Sequence, residues 1–145
     1  MTRDKVYEES NSVLEVDYIR FSKKEYKALL GASENYYDRQ MKGQALLDYL
    51  CDKYDIPHVM LYVENVPQRC RGNATIHGNY TYPYNRIRIY NQTAKQRKIV
   101  SIKVFANTLL HEFMHHYDFF YLKMATSLHT KGFYMRISDL DKKLK

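Results

Sequence analysis

The sequence has little of several features that define common protein classes. Its 145 residues include no tryptophan, three prolines, five glycines and two cysteines. No apolar run approaches the ~20 residues of a membrane-spanning helix, and the first residues lack the apolar core of a signal segment. Internal repeats and low-complexity segments are also absent. We therefore expect one globular domain over residues 1–145, without a membrane partner and located in the cytoplasm.

The two cysteines exclude a disulfide framework and a cysteine-based zinc site. Cys51 and Cys70 are not part of a CxxC pair and are not spaced like the ligands of a zinc knuckle. In a cytoplasmic protein both side chains are expected to be reduced thiols.

Basic residues are in excess, which gives a formal net charge of +7. Several of them cluster between residues 86 and 98, on or after a hairpin that the sequence predicts over residues 74–90. Two interpretations stay open, a nucleic-acid contact and a solvated basic surface. The candidate nucleic-acid contacts are Arg86, Arg88, Lys95, Arg97 and Lys98.

The order of apolar patterns predicts an α+β fold, in which helices pack on a small, mostly antiparallel sheet. Residues 1–11 are charged and are expected to form a flexible end. The predicted elements are a strand or extended segment over 13–21, a helix starting at the Ser22–Glu25 capping box, a helix over 36–54, a strand over 59–66, hairpin strands over 74–82 and 86–90, and helices over 101–123 and 131–144.

One motif carries specific chemistry, the sequence HExxH formed by residues 111–115. It lies within the apolar run TLLHEFMHHYDFFYL. Residues four apart share one face of an α-helix, so His111 and His115 can bind the same zinc ion with Glu112 beside its open position. A helix that merely carries histidines is the alternative. Glu112 argues against it, because a carboxylate buried among apolar neighbours costs several kcal/mol unless a partner such as a metal-bound water satisfies it.

A catalytic zinc ion usually has three protein ligands, so a third must come from elsewhere. The position used in metzincins is occupied by Tyr121, which excludes that arrangement. Asp118 shares the face of the two histidines, but it is too close along the helix to complete a tetrahedron. We expect it to accept a hydrogen bond from a ligand ring N–H instead. His116 points away from the site, whereas His129 follows the helix by one loop and can fold back over the metal.

The chemistry expected of such a site is hydrolysis. Zinc lowers the pKa of a bound water molecule to about 7, and Glu112 can accept the proton and pass it to the leaving nitrogen. A second electrophile is needed for the developing oxyanion. Tyr134, Arg136 and His116 remain open candidates.

Three segments resemble the SprT-like zinc metallopeptidases, over residues 74–144. GNYTYPYNRIRIY is similar to the hairpin that precedes the metal helix in this family, TLLHEFMHHYD to its metal-binding core, and SLHTKGFYMRI to the segment with the third histidine. The resemblance implies a zincin-like fold with His111, His115 and His129 as zinc ligands and Glu112 as the base. The chain departs from the family pattern at Thr130, which follows the third histidine while the glycine stands at Gly132. Within these residues there is also no four-cysteine zinc ribbon or ubiquitin-binding tail.

The function expected from these observations is a zinc-dependent metallopeptidase that acts on proteins or peptides, with DNA as a candidate partner. One alternative is a different zinc hydrolase, such as an amidase or deacylase. The other is a basic nucleic-acid-binding module with a structural zinc site. Four protein ligands around a closed site would favour the binding module, whereas an open position facing a groove would favour an enzyme.

Overall fold

The computed structural model describes residues 2–145, and Met1 lies outside the described residues. Over this range the chain forms an α+β fold of five helices and five strands. The predicted helices over 36–54 and 131–144 are present with those bounds. The elements are α1 (Arg3–Ser12), α2 (Lys24–Leu30), α3 (Tyr36–Tyr54), β1 (Met60–Pro67), β2 (Arg69–Arg71), β3 (Ala74–Ile76), β4 (Gly78–Thr81), β5 (Arg86–Gln92), α4 (Ile102–Phe120) and α5 (Lys131–Leu144).

The main sheet is mixed, which corrects the expectation of a mostly antiparallel one. Its order is β1-β5-β4, with β1 parallel and β4 antiparallel to β5. The predicted strand over 74–82 is divided at His77, since β3 pairs with β2 in a separate hairpin while β4 joins the main sheet. A parallel pair needs a crossover connection, and β2, β3 and β4 lie within that connection.

The core lies between the inner face of the sheet and the long helices. Helix α3 packs on β1, and α4 packs on both β4 and β5. Each long helix begins at a polar cap that satisfies free backbone N–H groups, provided by Asn35, Ser101 and Thr130. Strand β1 alternates between buried Leu61 and Val63 and exposed neighbours, so the outer face of the sheet is open to solvent.

The N-terminal segment differs from the predicted flexible end. Residues 3–12 form α1, which Thr2 caps and which packs against α5. Ser10 is fully buried, and its hydroxyl lies 2.6 Å from that of Thr130. Gly132 allows this approach, because a Cβ atom there would collide with the Ser10 carbonyl oxygen and lie 2.8 Å from Asn11 Cα. The charged residues that suggested disorder occupy the exposed side of α1.

The residues around the predicted capping box form a helix that starts slightly later than expected. Helix α2 begins at Lys24, and the Ser22 hydroxyl accepts a hydrogen bond from the Lys24 N–H rather than acting at the cap position itself. Cys51 is buried and Cys70 is exposed, and both are free thiols. In the described part of the chain, no helix combines the length and apolar character needed to cross a membrane.

Candidate metal centre

Helix α4 presents the two histidines of the HExxH motif to an open cleft. Ser101 fixes the start of this helix, and Phe105 and Leu109 anchor its opposite face in the core. His111 and His115 are half-buried and lie one turn apart, with their ring centroids separated by 5.3 Å. The four-residue spacing of the motif therefore places the two imidazoles side by side on one face of the helix.

The loop between α4 and α5 returns a third imidazole to this pair. It turns back after the helix with a hydrogen bond from the Met124 N–H to the Asp118 carbonyl. His129 Nε2 lies 3.2 Å from His111 Nε2 and 3.0 Å from His115 Nε2. The structure thus brings together the three histidines singled out in the sequence, with ligand atoms all within 4.8 Å of one another.

The three imidazoles pack around one apolar ring, and burial favours the neutral form of two of them, His111 and His115. Phe133 is fully buried, and its ring centroid lies 5.1, 4.7 and 5.3 Å from those of His111, His115 and His129. Burial, followed by repulsion from neighbouring imidazoles, lowers the pKa of His111 to about 4 and that of His115 to about 3. Neutral imidazole is the form that binds metal ions.

A hydrogen-bonded relay fixes the orientation of the His115 ring. The Ser127 hydroxyl donates to Asp118 Oδ2 over 2.7 Å, and His115 Nδ1 lies 2.8 Å from the same hydroxyl oxygen. Because Ser127 has one proton and gives it to Asp118, the Nδ1–H of His115 is the donor to Ser127. His115 Nε2 then keeps its lone pair for the centre. The sequence predicted that Asp118 would hold the ring directly, and the structure corrects this by placing Ser127 between them.

Asp118 and Arg136 form a buried ion pair. Arg136 Nη2 lies 2.9 Å from Asp118 Oδ2, and both side chains are fully buried. Burial raises the pKa of Asp118, and the charge of Arg136 and the hydrogen bond from Ser127 oppose this rise. A guanidinium group stays protonated in proteins, so its burial requires the carboxylate as a partner. Arg136 is therefore paired with Asp118 inside the protein and cannot act as the second electrophile.

Glu112 lies beside the histidines at the bottom of the cleft. Its side chain is nearly buried, and its Oε2 atom lies 3.9 Å from His111 Nε2. Burial raises the pKa of Glu112 to about 7. A carboxylate with a pKa near neutrality is suited to accept a proton and release it again.

The structure distinguishes between the three candidates for the second electrophile. His116 is fully buried, with Nε2 2.6 Å from the Pro57 carbonyl oxygen and Nδ1 2.8 Å from the Tyr80 hydroxyl. It is therefore unavailable, as is Arg136. Tyr134 is half exposed, lines the cleft, and has its ring centroid 5.9 Å from that of His111. Of the three, Tyr134 is the one placed beside the candidate centre.

The histidines and Glu112 lie on the floor of a cleft of about 840 Å³. Its lining combines residues 74–80 with residues of α4 and with Tyr134. His77 lines this cleft outside the histidine cluster, and its Nδ1 lies 2.8 Å from Gln68 Nε2. Sequence reasoning missed Ser127, whose one signal was its position two residues before His129.

The candidate nucleic-acid contacts lie outside the cleft. Arg86 and Arg88 alternate with the buried Ile87, so they occupy the outer face of the sheet. Arg88 Nε also pairs with Glu64 Oε1 at 2.8 Å. The other three, Lys95, Arg97 and Lys98, are exposed on the turn between β5 and α4.

Comparisons with protein-family models, with curated proteins and with solved structures found no match to this chain. Its function is therefore inferred from the geometry and chemistry of the site itself.

Proposed function

We propose that this protein is a zinc-dependent peptidase of the SprT-like kind, in which His111, His115 and His129 bind the metal and Glu112 is the general base. The observation that carries the proposal is the convergence of three imidazoles beside a nearly buried carboxylate in an open cleft. Nitrogens around a tetrahedral zinc ion lie about 3.3 Å apart, since each Zn–N bond is about 2.05 Å long. The separations of 3.0 and 3.2 Å between these nitrogens fit such an ion.

The number of ligands favours a catalytic over a structural zinc site. Among the described residues, the cluster contains three histidines and no fourth histidine, cysteine or carboxylate. Structural zinc sites are closed by four protein ligands, whereas catalytic sites keep one position for water or substrate. This supports an enzyme over a binding module with a structural metal.

The side chains around the cleft have complementary roles in hydrolysis. When bound, zinc acidifies a water molecule and polarises the substrate carbonyl. Glu112 accepts the proton released and transfers it to the leaving nitrogen. Tyr134 donates a hydrogen bond to the carbonyl oxygen as negative charge develops there. Ser127 keeps His115 in the tautomer that these steps require.

The wall of the cleft favours a peptide over a small amide as the substrate. Strand β4 is an edge strand of the main sheet, and its residues Gly78, Asn79 and Tyr80 line the cleft. Edge strands bind extended peptides through main-chain hydrogen bonds. A deacylase or small-molecule amidase has no need of such a wall.

Kinetics of zinc-loaded protein on a fluorogenic peptide mixture test this proposal. Glu112→Gln should retain zinc and lower kcat by at least about 100-fold, because an amide cannot accept the proton. Tyr134→Phe should lower kcat by about 100-fold with little change in KM, since the lost hydrogen bond acts mainly in the transition state. Tyr37→Phe, an exposed tyrosine outside the cleft, is the control. Full activity of Glu112→Gln would exclude the general-base role, and cleavage of acyl-lysine or small amides alone would favour the other hydrolases.

We also propose association with nucleic acid as a second property. The observation that favours it is the uncovered outer face of the main sheet, where Arg86 and Arg88 stand across from the exposed Met60 and Tyr62. Arginine together with an exposed aromatic ring can hold a backbone phosphate and stack on an unpaired base. This face is distinct from the cleft, so a nucleic-acid strand bound to it would leave the cleft open to a protein substrate.

A reducing compartment such as the cytoplasm fits the thiols. Cys70 is exposed and unpaired between Arg69 and Arg71, and Cys51 is buried without a disulfide partner. Free thiols are maintained in such a compartment.

A further inference from the structure

Three aromatic rings form one end of the cleft next to the candidate metal centre. Tyr80 lies nearly parallel to the His115 ring, with 6.4 Å between centroids. Phe119 stacks on Tyr82 at 4.9 Å and lies 6.1 Å from Tyr80. Tyr80, Tyr82 and Phe119, which we name the aromatic wall, all line the cleft. A continuous aromatic surface therefore extends outward from the position of the metal.

The polar tip of Tyr80 is withdrawn from the cleft. His116 Nε2 lies 2.6 Å from the Pro57 carbonyl oxygen, which can only accept, so this nitrogen carries the proton. His116 Nδ1 is then the acceptor for the Tyr80 hydroxyl at 2.8 Å. Because the hydroxyl is satisfied inside the protein, Tyr80 offers an apolar ring to the cleft. This arrangement also gives the buried His116 a definite role in positioning Tyr80.

The exposure of the aromatic wall indicates a surface that a ligand can cover. Tyr82 is 54% exposed although its ring stacks on Phe119. Phe119 and Tyr80 are half-buried. Covering partly exposed aromatic rings with an apolar group removes nonpolar surface from water, which is favourable.

The charges around the cleft are consistent with a neutral ligand group at this end. Among the described residues that line it, there is no lysine, arginine or aspartate, and the single carboxylate is Glu112. The net charge of +7 is therefore carried elsewhere. On α4, the polar residues Asn107 and Thr108 line the cleft before His111, whereas Phe119 lines it after His115. The two ends thus differ in chemistry on either side of the histidines.

We infer that the aromatic wall is a specificity subsite for a large apolar side chain, aromatic or branched aliphatic, next to the scissile bond of a peptide. This inference rests on the proposed peptidase function. Tyr82 and Phe119 contact the substrate side chain, and Tyr80 closes the inner end of the subsite beside His115.

The test uses zinc-loaded protein and two series of peptides that share one sequence. In the first series the residue before the scissile bond is Phe, Leu, Ala, Lys or Glu, and in the second series the residue after the bond is varied in the same way. In one of the two series, the Phe and Leu peptides should have a kcat/KM about tenfold above that of the Ala peptide, which is in the lower range for apolar pockets. The Lys and Glu peptides should not exceed the Ala peptide. The ratio of the Phe to the Ala value is the readout, because it cancels any loss of folded protein.

Substitutions then locate the preference. Tyr82→Ala and Phe119→Ala should each lower the ratio to about two or less, as expected when a half-open apolar surface is removed. Phe119→Leu, which keeps an apolar side chain, should give an intermediate ratio. Tyr84→Ala is the matched control, since Tyr84 is 72% exposed on the same turn and lies outside the cleft lining, and it should keep the wild-type ratio.

Each outcome has a distinct meaning. Cleavage without preference, or a preference unchanged in Tyr82→Ala and Phe119→Ala, overturns the subsite and leaves the peptidase intact. A preference for the Lys peptide would instead show cation–π recognition and would equally overturn an apolar subsite. If no peptide is cleaved at all, the proposed function itself fails and the subsite with it.

Discussion

At the residue scale, the proposed metal centre depends on which nitrogen of His115 carries a proton. Ser127 and Asp118 determine this, because the carboxylate takes the serine proton and leaves the serine oxygen to accept from His115 Nδ1. Partners of this kind orient the ligand ring and raise its affinity for metal. A serine that looks unremarkable in the sequence is therefore part of the site.

Ser127→Ala should weaken zinc affinity by about 10-fold or more, at the lower end of the range for partners that orient a ligand. The fold should be little affected, because the substitution leaves no buried charge unpaired. Competition with a fluorescent zinc chelator measures the affinity, and thermal unfolding measures the stability. Ser12→Ala is the control, since that hydroxyl bonds only to a carbonyl of its own exposed helix turn.

Asp118→Asn should be more damaging than Ser127→Ala, because it also leaves the buried Arg136 without its counter-charge. Breaking a buried pair in this way costs about 3–5 kcal/mol. If Ser127→Ala binds zinc as tightly as the wild type while Asp118→Asn does not, Asp118 acts through the fold alone and the relay is wrong.

The candidate site could be predicted from the sequence as far as local periodicity reaches. His111, Glu112 and His115 lie within one turn of a single helix, so their spacing alone defines their geometry. His129 required the assumption that a short loop folds back, and Ser127 could not be predicted because its role depends on the path of that loop. Tyr134 could not be selected as the second electrophile from the sequence, because this required knowing that His116 and Arg136 make hydrogen bonds in the protein interior.

At the scale of elements, α1 and α5 are connected to the proposed metal centre through one guanidinium group. Arg136 donates to the carbonyl oxygens of Ser10 and Val13 at 2.6 and 2.8 Å, and to Asp118 at 2.9 Å. The end of α1 and the carboxylate that holds Ser127 therefore share a partner. Correct docking of the N-terminal helix should support the orientation of His115.

Gly132→Ala tests this coupling. A Cβ atom at Gly132 would collide with the backbone of Ser10, which cannot move as a flexible side chain would. We expect a loss of about 2 kcal/mol in the free energy of unfolding, as for overpacked sites, despite the better helix propensity of alanine. Zinc affinity should fall as well, as measured by chelator competition.

Gly31→Ala is the control for this variant, because a Cβ atom there would make only ordinary contacts at 3.6 and 3.7 Å with backbone oxygens. Its stability should stay within about 0.5 kcal/mol of the wild type. An unchanged zinc affinity in a destabilised Gly132→Ala protein would show that α1 stabilises the fold without influencing the metal centre.

The predictability of the elements follows the range of the interactions that define them. Helices α3 and α5 have continuous apolar stripes, so their bounds could be predicted from local periodicity. The parallel pairing of β1 with β5 and the division of the 74–82 segment depend on contacts between distant residues, which periodicity does not record. The N-terminal helix was missed for the same reason, since its buried Ser10 is stabilised by residues more than a hundred positions away.

At the scale of the whole molecule, positive charge lies away from the cleft that contains the three histidines. The cleft lining contains no lysine or arginine among the described residues, whereas the outer sheet face and the turn after β5 carry Arg86, Arg88, Lys95, Arg97 and Lys98. A polyanion and a peptide could therefore bind to different surfaces at the same time.

Binding to a single-stranded oligonucleotide should weaken steeply as salt rises. Replacing Arg86, Arg88, Arg97 and Lys98 with alanine should reduce the slope of log affinity against log salt by up to about 0.7 for each lost phosphate contact. Replacing Lys5, Lys23, Lys24 and Lys27 removes the same charge from exposed positions elsewhere and should leave most of the slope. Equal effects of the two sets, or no binding at low salt, would remove nucleic acid as a specific partner.

The zinc content of the purified protein, measured by elemental analysis after dialysis against a weak chelator, tests the proposed metal centre most directly. We expect one zinc ion per chain in the wild type and in His58→Ala, which removes an exposed histidine outside the cluster. His129→Ala should lose the metal, because two histidines on one helix do not complete a stable site. A wild-type protein that does not retain zinc, or a His129→Ala protein that retains as much as the wild type, would contradict a metal centre formed by His111, His115 and His129.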